Sequence, residues 1–343
     1  MLSPTQARAH ILREITAVGR LLPEWDELWE RCPQATTFQR PEWLFSWIQV
    51  FQPSDPLLIE FRHGNALVGV APLLIYQRDS ERVLGLMGGA ISDYLDVLFD
   101  PVYAEVALDL LWELLPRIDG WDTVEFSDLP PTSCLLPKNP LGWECARAVH
   151  NVCPVLPLPS KLEKLSSVLP ERQRKNLRNA RNRLRSLGET RIEIAAENNL
   201  HENLGAMFRL HTTRWAEAGE PGVLCNPAVQ DFHQRVSPKL VRKGVLRLYS
   251  LRLGERAIAV LYAFFERRVA YYYLQGFDPE FAWFSPGTQI LGAVVEDAIR
   301  QGMRTVNFLR GQERYKYGWG TEDSPTYRIQ ARKPQTVSNR LAA

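Results

Sequence analysis

The sequence predicts an α/β protein with mixed α+β sheets, built as two tandem copies of one α/β unit. Residues 245–320 show the pattern of three strands, a helix and a further strand, the order expected for a sheet covered by a helix. A hairpin, Asp-Pro, a helix, a glycine and Thr-Val-x-Phe recur in this order in both halves. Seven prolines between residues 129 and 159 mark a segment that crosses between the halves.

Length and composition fit this organisation. The chain has 343 residues, of which 45% are hydrophobic and 23% charged, so it can form two soluble domains. A net charge of +2 favours no class of partner, and five cysteines without a Cys-x-x-Cys pair indicate neither a disulfide framework nor a zinc site. We expect a cytoplasmic protein that has no metal, no signal peptide and no transmembrane segment.

The first half alternates helices and strands. Short helices are predicted at 25–32 and 41–51, after a segment at 1–22 that carries no strong signal and is expected to be helical or poorly ordered. The later predictions are strands at 57–61, 66–76, 83–87 and 94–99, a helix at 103–115, a strand at 123–126 and one near 147–155. We assign residues 1–156 to the first domain.

The second half begins with a strongly basic helix, within a helical segment predicted at 162–187. Downstream we expect strands at 190–195, 245–253, 256–265, 269–274, 305–309 and 326–331, and helices at 200–218, 227–242 and from Ser285 to Gly302. The second domain then spans residues 157–335 with the basic helix at 170–188, and residues 336–343 form a tail.

Several short motifs occur in a characteristic order. They are FQRPEWL (38–44), GVAPL (69–73), SDYLD (92–96), an arginine-rich stretch (172–185), LHTTRW (210–215), GFDP (276–279), SPG (285–287), FLRG (308–311) and Tyr315-Lys316. In this order they resemble the GNAT-type acyltransferases of the cellulose-biosynthesis CelD kind, which are related to the Fem peptidyltransferases. The resemblance covers roughly residues 38–333 and implies two tandem GNAT-like domains.

The resemblance also implies a donor site for acyl-CoA, such as acetyl-CoA, in the second half. Its residues would be Ser285, Pro286, Gly287 and Thr288, whose amides begin a helix and would receive a phosphate while the glycine lets it approach. The other interpretation is an ordinary helix start, with serine as N-cap and proline in the first turn. Arg310 and Lys316 follow a strand end, where they either bind the donor or carry solvated surface charge.

Three residues are candidates for proton transfer. Tyr315 follows the fifth strand, where GNAT enzymes place a general acid for the departing thiolate, although it also fits an aromatic cluster. His211 is an imidazole on a helix and Asp278 a carboxylate in an Asp-Pro turn; each is a candidate base or a structural residue. Asn307 stands where the family has an aspartate, and an amide cannot act as a base.

The acceptor is predicted to meet the basic helix. Its arginines at 174, 178, 181 and 185 share one stripe, and a second stripe can dock on the body of the protein. The arginines are Arg174, Arg178, Arg181 and Arg185, and the docking stripe is Leu177, Ala180, Leu184 and Leu187. The stretch between 172 and 187 has no acidic residue, which favours an anionic ligand over a solvated face.

In the first half, Asp93 and Tyr94, with Asp96 beside them, either contact the acceptor or hydrogen-bond loop backbone. The leading hypothesis is an N- or O-acyltransferase that moves an acyl group from acyl-CoA to an amine or hydroxyl of a small or saccharide-linked, phosphorylated acceptor. The alternatives are a Fem-like transferase that uses aminoacyl-tRNA and a non-catalytic subunit of a polysaccharide-synthesis assembly. The basic helix would meet the acceptor, tRNA or an anionic membrane surface.

Overall fold

The computed structural model describes residues 7–137 and 143–332, and it has a mixed α/β architecture. The strands are β1 (Ala7–Leu12), β2 (Pro56–His63), β3 (Ala66–Arg78), β4 (Glu81–Leu86), β5 (Leu98–Phe99), β6 (Thr123–Leu129), β7 (Glu144–Pro157), β8 (Thr190–Ile194), β9 (Leu246–Leu253), β10 (Arg256–Glu266), β11 (Val269–Phe277), β12 (Thr305–Asn307) and β13 (Glu322–Arg332). The helices are α1 (Ile15–Arg31), α2 (Pro41–Phe51), α3 (Ala104–Leu114), α4 (Leu165–Val168), α5 (Glu171–Arg185), α6 (Leu200–Glu217), α7 (Pro227–Arg242), α8 (Pro286–Arg300) and α9 (Arg314–Tyr317).

The chain divides into two compact units. Unit one comprises residues 7–137, 143–151 and 325–332 of the described chain, and unit two comprises residues 152–324. The sequence predicts a boundary after residue 156 and a last strand in the second domain, whereas the units divide after residue 151 and β13 lies mostly in unit one. The tail at 336–343 falls outside the described residues. No helix in the described ranges combines the length and apolarity needed to span a bilayer.

Unit one is a sheet of order β1-β2-β3-β4-β6-β13, with β5 beside β3. Strands β4 and β6 are parallel, and the other neighbours described for this unit are antiparallel. The core joins one face of α3, which carries Leu108, Leu111 and Trp112 at helical spacing, to inward side chains of the strands such as Phe61 and Phe126. Burial of such side chains contributes roughly 1.5–3 kcal/mol each.

Unit two repeats this topology. Strands β8, β9, β10 and β11 are consecutive antiparallel neighbours, and β12 follows α8 and lies parallel to β11. The order in unit one is the same, with α3 between β4 and its parallel partner β6. The internal repeat predicted from the hairpin, helix and Thr-Val-x-Phe signals is therefore confirmed.

Two segments of unit one differ from the sequence prediction. The N-terminal segment, expected to be helical or poorly ordered, contains the first turns of α1 but also β1. The sequence does not predict β1, because this strand depends on pairing with β2 rather than on its own alternation. The strand predicted at 94–99 comprises only Leu98–Phe99 in the structure, because only these residues pair with β3 and the segment before them has no regular structure.

The parallel pair of unit two creates an opening. Strands β11 and β12 pair only through Val269–Tyr271 and Thr305–Asn307. Beyond Tyr271, β11 continues to Phe277 without a register partner in β12. Helix α6 crosses the same end of β11 very closely, since a Cβ on Gly276 would lie 2.4 Å from the amide nitrogen of His211. The sheet thus leaves a space bordered by β11, α6 and the start of α8.

Candidate functional site

A cavity of about 770 Å³ lies in unit two at this opening. It brings together the first turns of α5 and α8, the ends of α6 and β11, and α9. Its lining residues are Arg172, Gln173, Asn176, Arg214, Gln275, Phe277, Ala282, Ser285, Pro286, Gly287, Thr288, Leu291, Arg314, Tyr315, Tyr317, Gly318 and Trp319. The volume is within the usual range for sites that enclose a small molecule or cofactor. The four predicted donor-site residues and Tyr315 all contribute to it.

The start of α8 presents backbone N–H groups at this cavity. The amides of Thr288 and Gln289 donate to the carbonyl of Ser285 at 3.1 and 3.2 Å, and the amide of Gly287 precedes these bonds. Ser285 adopts a left-handed conformation with φ 53°, and its hydroxyl does not cap the helix. The hydroxyl instead accepts a bond of 3.4 Å from Arg183. The ordinary serine N-cap is therefore absent at this helix. Since Pro286 has no N–H and the two amides that follow Gly287 bond to Ser285, the amide of Gly287 is the one left for an anion.

The structure shows a further reason for a glycine at position 287, besides the predicted approach of a phosphate. A Cβ on this glycine would lie 2.4 Å from Nε2 of Gln275 and 3.4 Å from the ring of Phe277. The missing side chain therefore makes room for the amide of Gln275 on the neighbouring strand. The close approach that requires glycine is one between two parts of the protein.

A hydrogen-bond relay connects Tyr315 to this glutamine. The hydroxyl of Tyr315 donates to that of Tyr272 at 3.2 Å, and Tyr272 donates to Oε1 of Gln275. Because Oε1 is the acceptor, Nε2 of Gln275 is the end that faces the cavity beside Gly287. Burial raises the pKa of Tyr315 to about 12, despite a hydrogen bond from Tyr315 to Tyr272 that lowers it. Both tyrosines are thus protonated at neutral pH.

The lining is cationic. Arg172, Arg214 and Arg314 contribute guanidinium groups, and none of the described lining residues is a carboxylate, an imidazole or a thiol. Arg214 lies over the ring of Phe277 at 5.1 Å and donates to the carbonyl of Gln275 at 3.4 Å. Such an arrangement attracts phosphate or carboxylate groups, for which arginine forks are well suited.

Two of the predicted proton-transfer residues lie outside the cavity lining. His211 is buried among Trp215 and Gly222, and burial lowers its pKa to about 4, with a further contribution from Arg214. The carboxylate of Asp278 accepts from Arg256 at 2.5 Å and from the amide of Glu280 at 3.2 Å. Asp278 therefore holds a turn, which agrees with the structural interpretation of Asp-Pro.

The cations after β12 also have structural contacts. Lys316 is buried and donates to the carbonyls of Arg310 and Gly311 at 2.7 and 3.2 Å, while Glu313 pairs with it at 2.9 Å. It fastens the loop that follows β12 and does not line the cavity. Arg310 is also absent from the lining. The side chain of Asn307 accepts from the amide of Leu309 at 2.9 Å, so it shapes the same loop.

The predicted arginine stripe lines a separate groove of about 340 Å³ on α5. Arg174, Arg178, Arg181 and Arg185 all contribute to it. Arg181 pairs with Glu296 of α8 at 2.6 Å. Because this partner lies on another helix, the composition of α5 alone does not reveal it. On the neighbouring docking stripe Leu177, Ala180 and Leu184 are buried as predicted, but Leu187 is 45% exposed because α5 ends at Arg185.

The two acceptor-binding candidates of unit one are Asp93 and Tyr94, and neither lines the cavity of unit two. Tyr94 is buried with its ring 6.4 Å from that of Phe38, and its carbonyl accepts from Gln39 at 3.0 Å. Asp93 is half-buried beside it. Among the described residues there is also no group of three or more His, Cys, Asp or Glu that could hold a metal ion.

Comparison with protein families identifies the architecture. Residues 171–317 match the family model described as the acetyltransferase (GNAT) domain. Unit two has the GNAT fold. The matched segment begins at α5 and ends at α9, so it includes the start of α8, the β11–β12 opening and Tyr315. A search of curated proteins returned no match.

Solved structures extend the similarity of fold to both units. FemX superposes with a TM-score of 0.68 at 13% identity, covering 95% of this chain and 98% of that one. The C-terminal domain of a putative lysylphosphatidylglycerol synthetase from Agrobacterium fabrum has a TM-score of 0.59 at 11% identity, covering 92% of each chain. L-PGS from Bacillus licheniformis has a TM-score of 0.56 at 12% identity, covering 91% of this chain and 92% of that one.

Proposed function

We propose that unit two transfers an acyl group from acyl-CoA to an amine or hydroxyl group of an acceptor. The observation that carries the proposal is the cavity, in which the uncapped start of α8, three arginines and the Tyr315 relay meet within a GNAT fold. Acetyl-CoA is the simplest donor of this class. The match to the GNAT acetyltransferase family model supports acyl transfer in general.

The phosphates of the donor would bind at the first turn of α8. The Gly287 amide and the positive end of the helix dipole favour an anion there. Arg172 and Arg314 form no ion pair with any residue in the described ranges, so both guanidinium groups are available to further phosphates. The thioester would then lie along the part of β11 that β12 leaves unpaired.

The chemistry would be direct transfer. The acceptor's lone pair attacks the thioester carbonyl, the tetrahedral intermediate places negative charge on oxygen, and the carbon–sulfur bond breaks. Nε2 of Gln275 is a donor for that oxygen, because the relay fixes its orientation towards the cavity. Tyr315, whose O–H bonds to Tyr272 in the free protein, would turn that O–H towards the departing thiolate and give it the proton, and solvent restores the proton. The acceptor's own proton leaves to water.

The absence of a base among the described lining residues constrains the acceptor. An amine would have to reach the cavity already neutral, so kcat/KM should rise with pH until the acceptor's own pKa. Asn307 is consistent with a reaction that uses no protein base, because its side-chain amide bonds to the loop backbone and cannot accept a proton from the acceptor.

Isothermal titration with acetyl-CoA tests the donor. Wild-type protein should bind it, and Arg172→Gln with Arg314→Gln should weaken binding by about tenfold or more, the equivalent of 1.4 kcal/mol. Arg235→Gln is the matched control, because Arg235 is a surface arginine that pairs with Asp231 at 2.9 Å on α7. Failure of the wild type to bind acetyl-CoA would refute the proposal.

We further propose that the groove on α5 holds the acceptor, a small or saccharide-linked molecule that carries a phosphate. Arg174 and Arg178 have no ion-pair partner in the described residues, in contrast to Arg181. Arg174→Gln with Arg178→Gln should raise the acceptor's KM and flatten its salt dependence, while acetyl-CoA binding stays unchanged. The paired Arg181, changed alone to Gln, should have a smaller effect on KM. Equal effects of the two changes would argue against direct acceptor binding.

A Fem-like transferase that uses aminoacyl-tRNA is the second candidate. The arginine groove supports it, because a row of guanidinium groups suits a nucleic-acid backbone, and the fold is similar to that of FemX. Filter binding of charged tRNA at several salt concentrations distinguishes the candidates. Binding of tRNA without binding of acetyl-CoA would favour the Fem-like donor. Binding of neither would favour a non-catalytic subunit, such as one in a polysaccharide-synthesis assembly of the CelD kind.

A further inference from the structure

Unit one contains a cavity of its own, with a volume of about 300 Å³. Three segments line it, at residues 32–39, 96–104 and 132–134. All three belong to unit one, and none of their residues lines the cavity proposed for the donor. The volume is at the lower end of the range for small-molecule sites. Asp96 carries the one carboxyl group in the part of its lining that the structure describes.

Only one of the two carboxylate oxygens of Asp96 accepts hydrogen bonds from the described residues. Its Oδ1 accepts from the amide of Val97 and from the hydroxyl of Ser133, both at 2.8 Å. The Leu135 amide donates to the same hydroxyl at 3.2 Å, which leaves the hydroxyl proton for Asp96. The carboxylate is therefore fixed in orientation. No donor in the described residues reaches its Oδ2, the oxygen left for a ligand in the cavity.

None of the described residues that line this cavity carries a positive charge that could offset the charge of Asp96. The walls are largely apolar, with Val97, Phe99 and Ala104 among them. Cys32 uses its thiol to donate to the carbonyl of Phe99 at 3.1 Å. Burial raises the pKa of Asp96 to about 7, against the two hydrogen bonds that lower it. A cation placed at Oδ2 would offset this cost of burying a carboxylate.

We propose that this cavity binds the primary ammonium group of a small organic amine, with Oδ2 of Asp96 as its acceptor. The apolar walls would pack against the carbon chain of the amine. A divalent metal ion is a poorer match, because hard cations require about six or more oxygen ligands and the described walls supply one free carboxylate oxygen. The proposal does not depend on the identity of the donor in unit two.

Titration with n-butylammonium chloride tests it, and n-butanol serves as the neutral ligand of similar shape. At about pH 8, where the carboxylate is mostly ionised, the ammonium should bind wild-type protein saturably. Asp96→Asn keeps the size and the Oδ1 acceptor but removes the charge, and it should weaken ammonium binding by about tenfold or more. Cys134→Ser changes another lining residue and should leave binding within about twofold of wild type.

A second measurement uses wild-type protein alone. Cys134 lines the same cavity, and burial raises the pKa of its thiol. Its alkylation by iodoacetamide is therefore followed by peptide mass spectrometry over hours at about pH 9, where bound amine should slow it further. Cys225 is exposed outside the cavity and is the internal control. The proposal is overturned if butanol protects Cys134 as well as butylammonium does, or if Asp96→Asn binds the ammonium as tightly as wild type.

Discussion

Replacement of Gly287 by alanine is the most informative single change at the cavity. The added Cβ would lie 2.4 Å from Nε2 of Gln275, which is too close for any non-bonded pair. Backbone cannot easily give way in the first turn of α8, so the glutamine amide must move. Its bond from Tyr272 is then lost, and Nε2 no longer faces the donor. We expect kcat with acetyl-CoA to fall by about 10²–10³-fold, the range for loss of one donor to the oxyanion, with a smaller change in acetyl-CoA affinity.

Gly292→Ala is the matched control for this change. It lies on the same helix, and its Cβ would meet Cδ2 of Leu177 at 2.5 Å, in the apolar contact between α8 and α5. Both substitutions gain about the same helix propensity, roughly 1 kcal/mol. Steady-state assays should therefore show a low kcat for Gly287→Ala and a near-normal kcat for Gly292→Ala. Equal kcat values in the two folded variants would refute the role given to Gln275.

Three further outcomes are expected. Tyr315→Phe should lower kcat by about 10²-fold or more with acetyl-CoA affinity nearly unchanged, because only the proton donor is lost; a wild-type kcat would make Tyr315 a packing residue. The pKa of Asp96 is raised from 3.8 to about 7, so its burial destabilises the fold progressively as pH rises through this window and fully above it. Asp96→Asn should therefore stabilise by at most about 4 kcal/mol above pH 7 and have little effect near pH 4, which denaturant unfolding at both pH values checks. Lys316→Met should lower the free energy of unfolding by about 3 kcal/mol, since it leaves loop carbonyls without their charged donor; unchanged stability would contradict the loop-fastening role.

The sequence predicts helices well where their ends carry local signals. The predicted helices at 41–51 and 227–242 coincide with α2 and α7, because a proline begins each one in its first turn. Strands that form hairpins are predicted equally well, because the two-residue turn between β2 and β3 is itself a local signal. β1 has no such local signal, and its six residues become a strand through pairing with β2.

The cavity is predictable only in part. Ser285–Thr288 and Tyr315 follow from motif resemblance, and the structure brings them together. Gln275 carries no motif of its own, and its role depends on a bond from Tyr272 on the same strand. The sequence places Lys316 after a strand end, where a cation can bind the donor, but in the structure its ammonium group donates to loop carbonyls. Arg181 likewise finds Glu296, a partner 115 residues away along the chain.

The close crossing at Gly276 has a consequence for engineering. With hydrogen as its side chain, this residue lets α6 rest on β11 at backbone distance, and a Cβ there would lie 2.4 Å from the amide nitrogen of His211. Arg214 is carried by the same helix, one turn further on. The size of the side chain at residue 276 thus sets the distance between α6 and β11, and with it how far the guanidinium of Arg214 extends over the cavity. Alanine there would lift the end of α6, so the width of the site could be adjusted from a position that never touches the ligand.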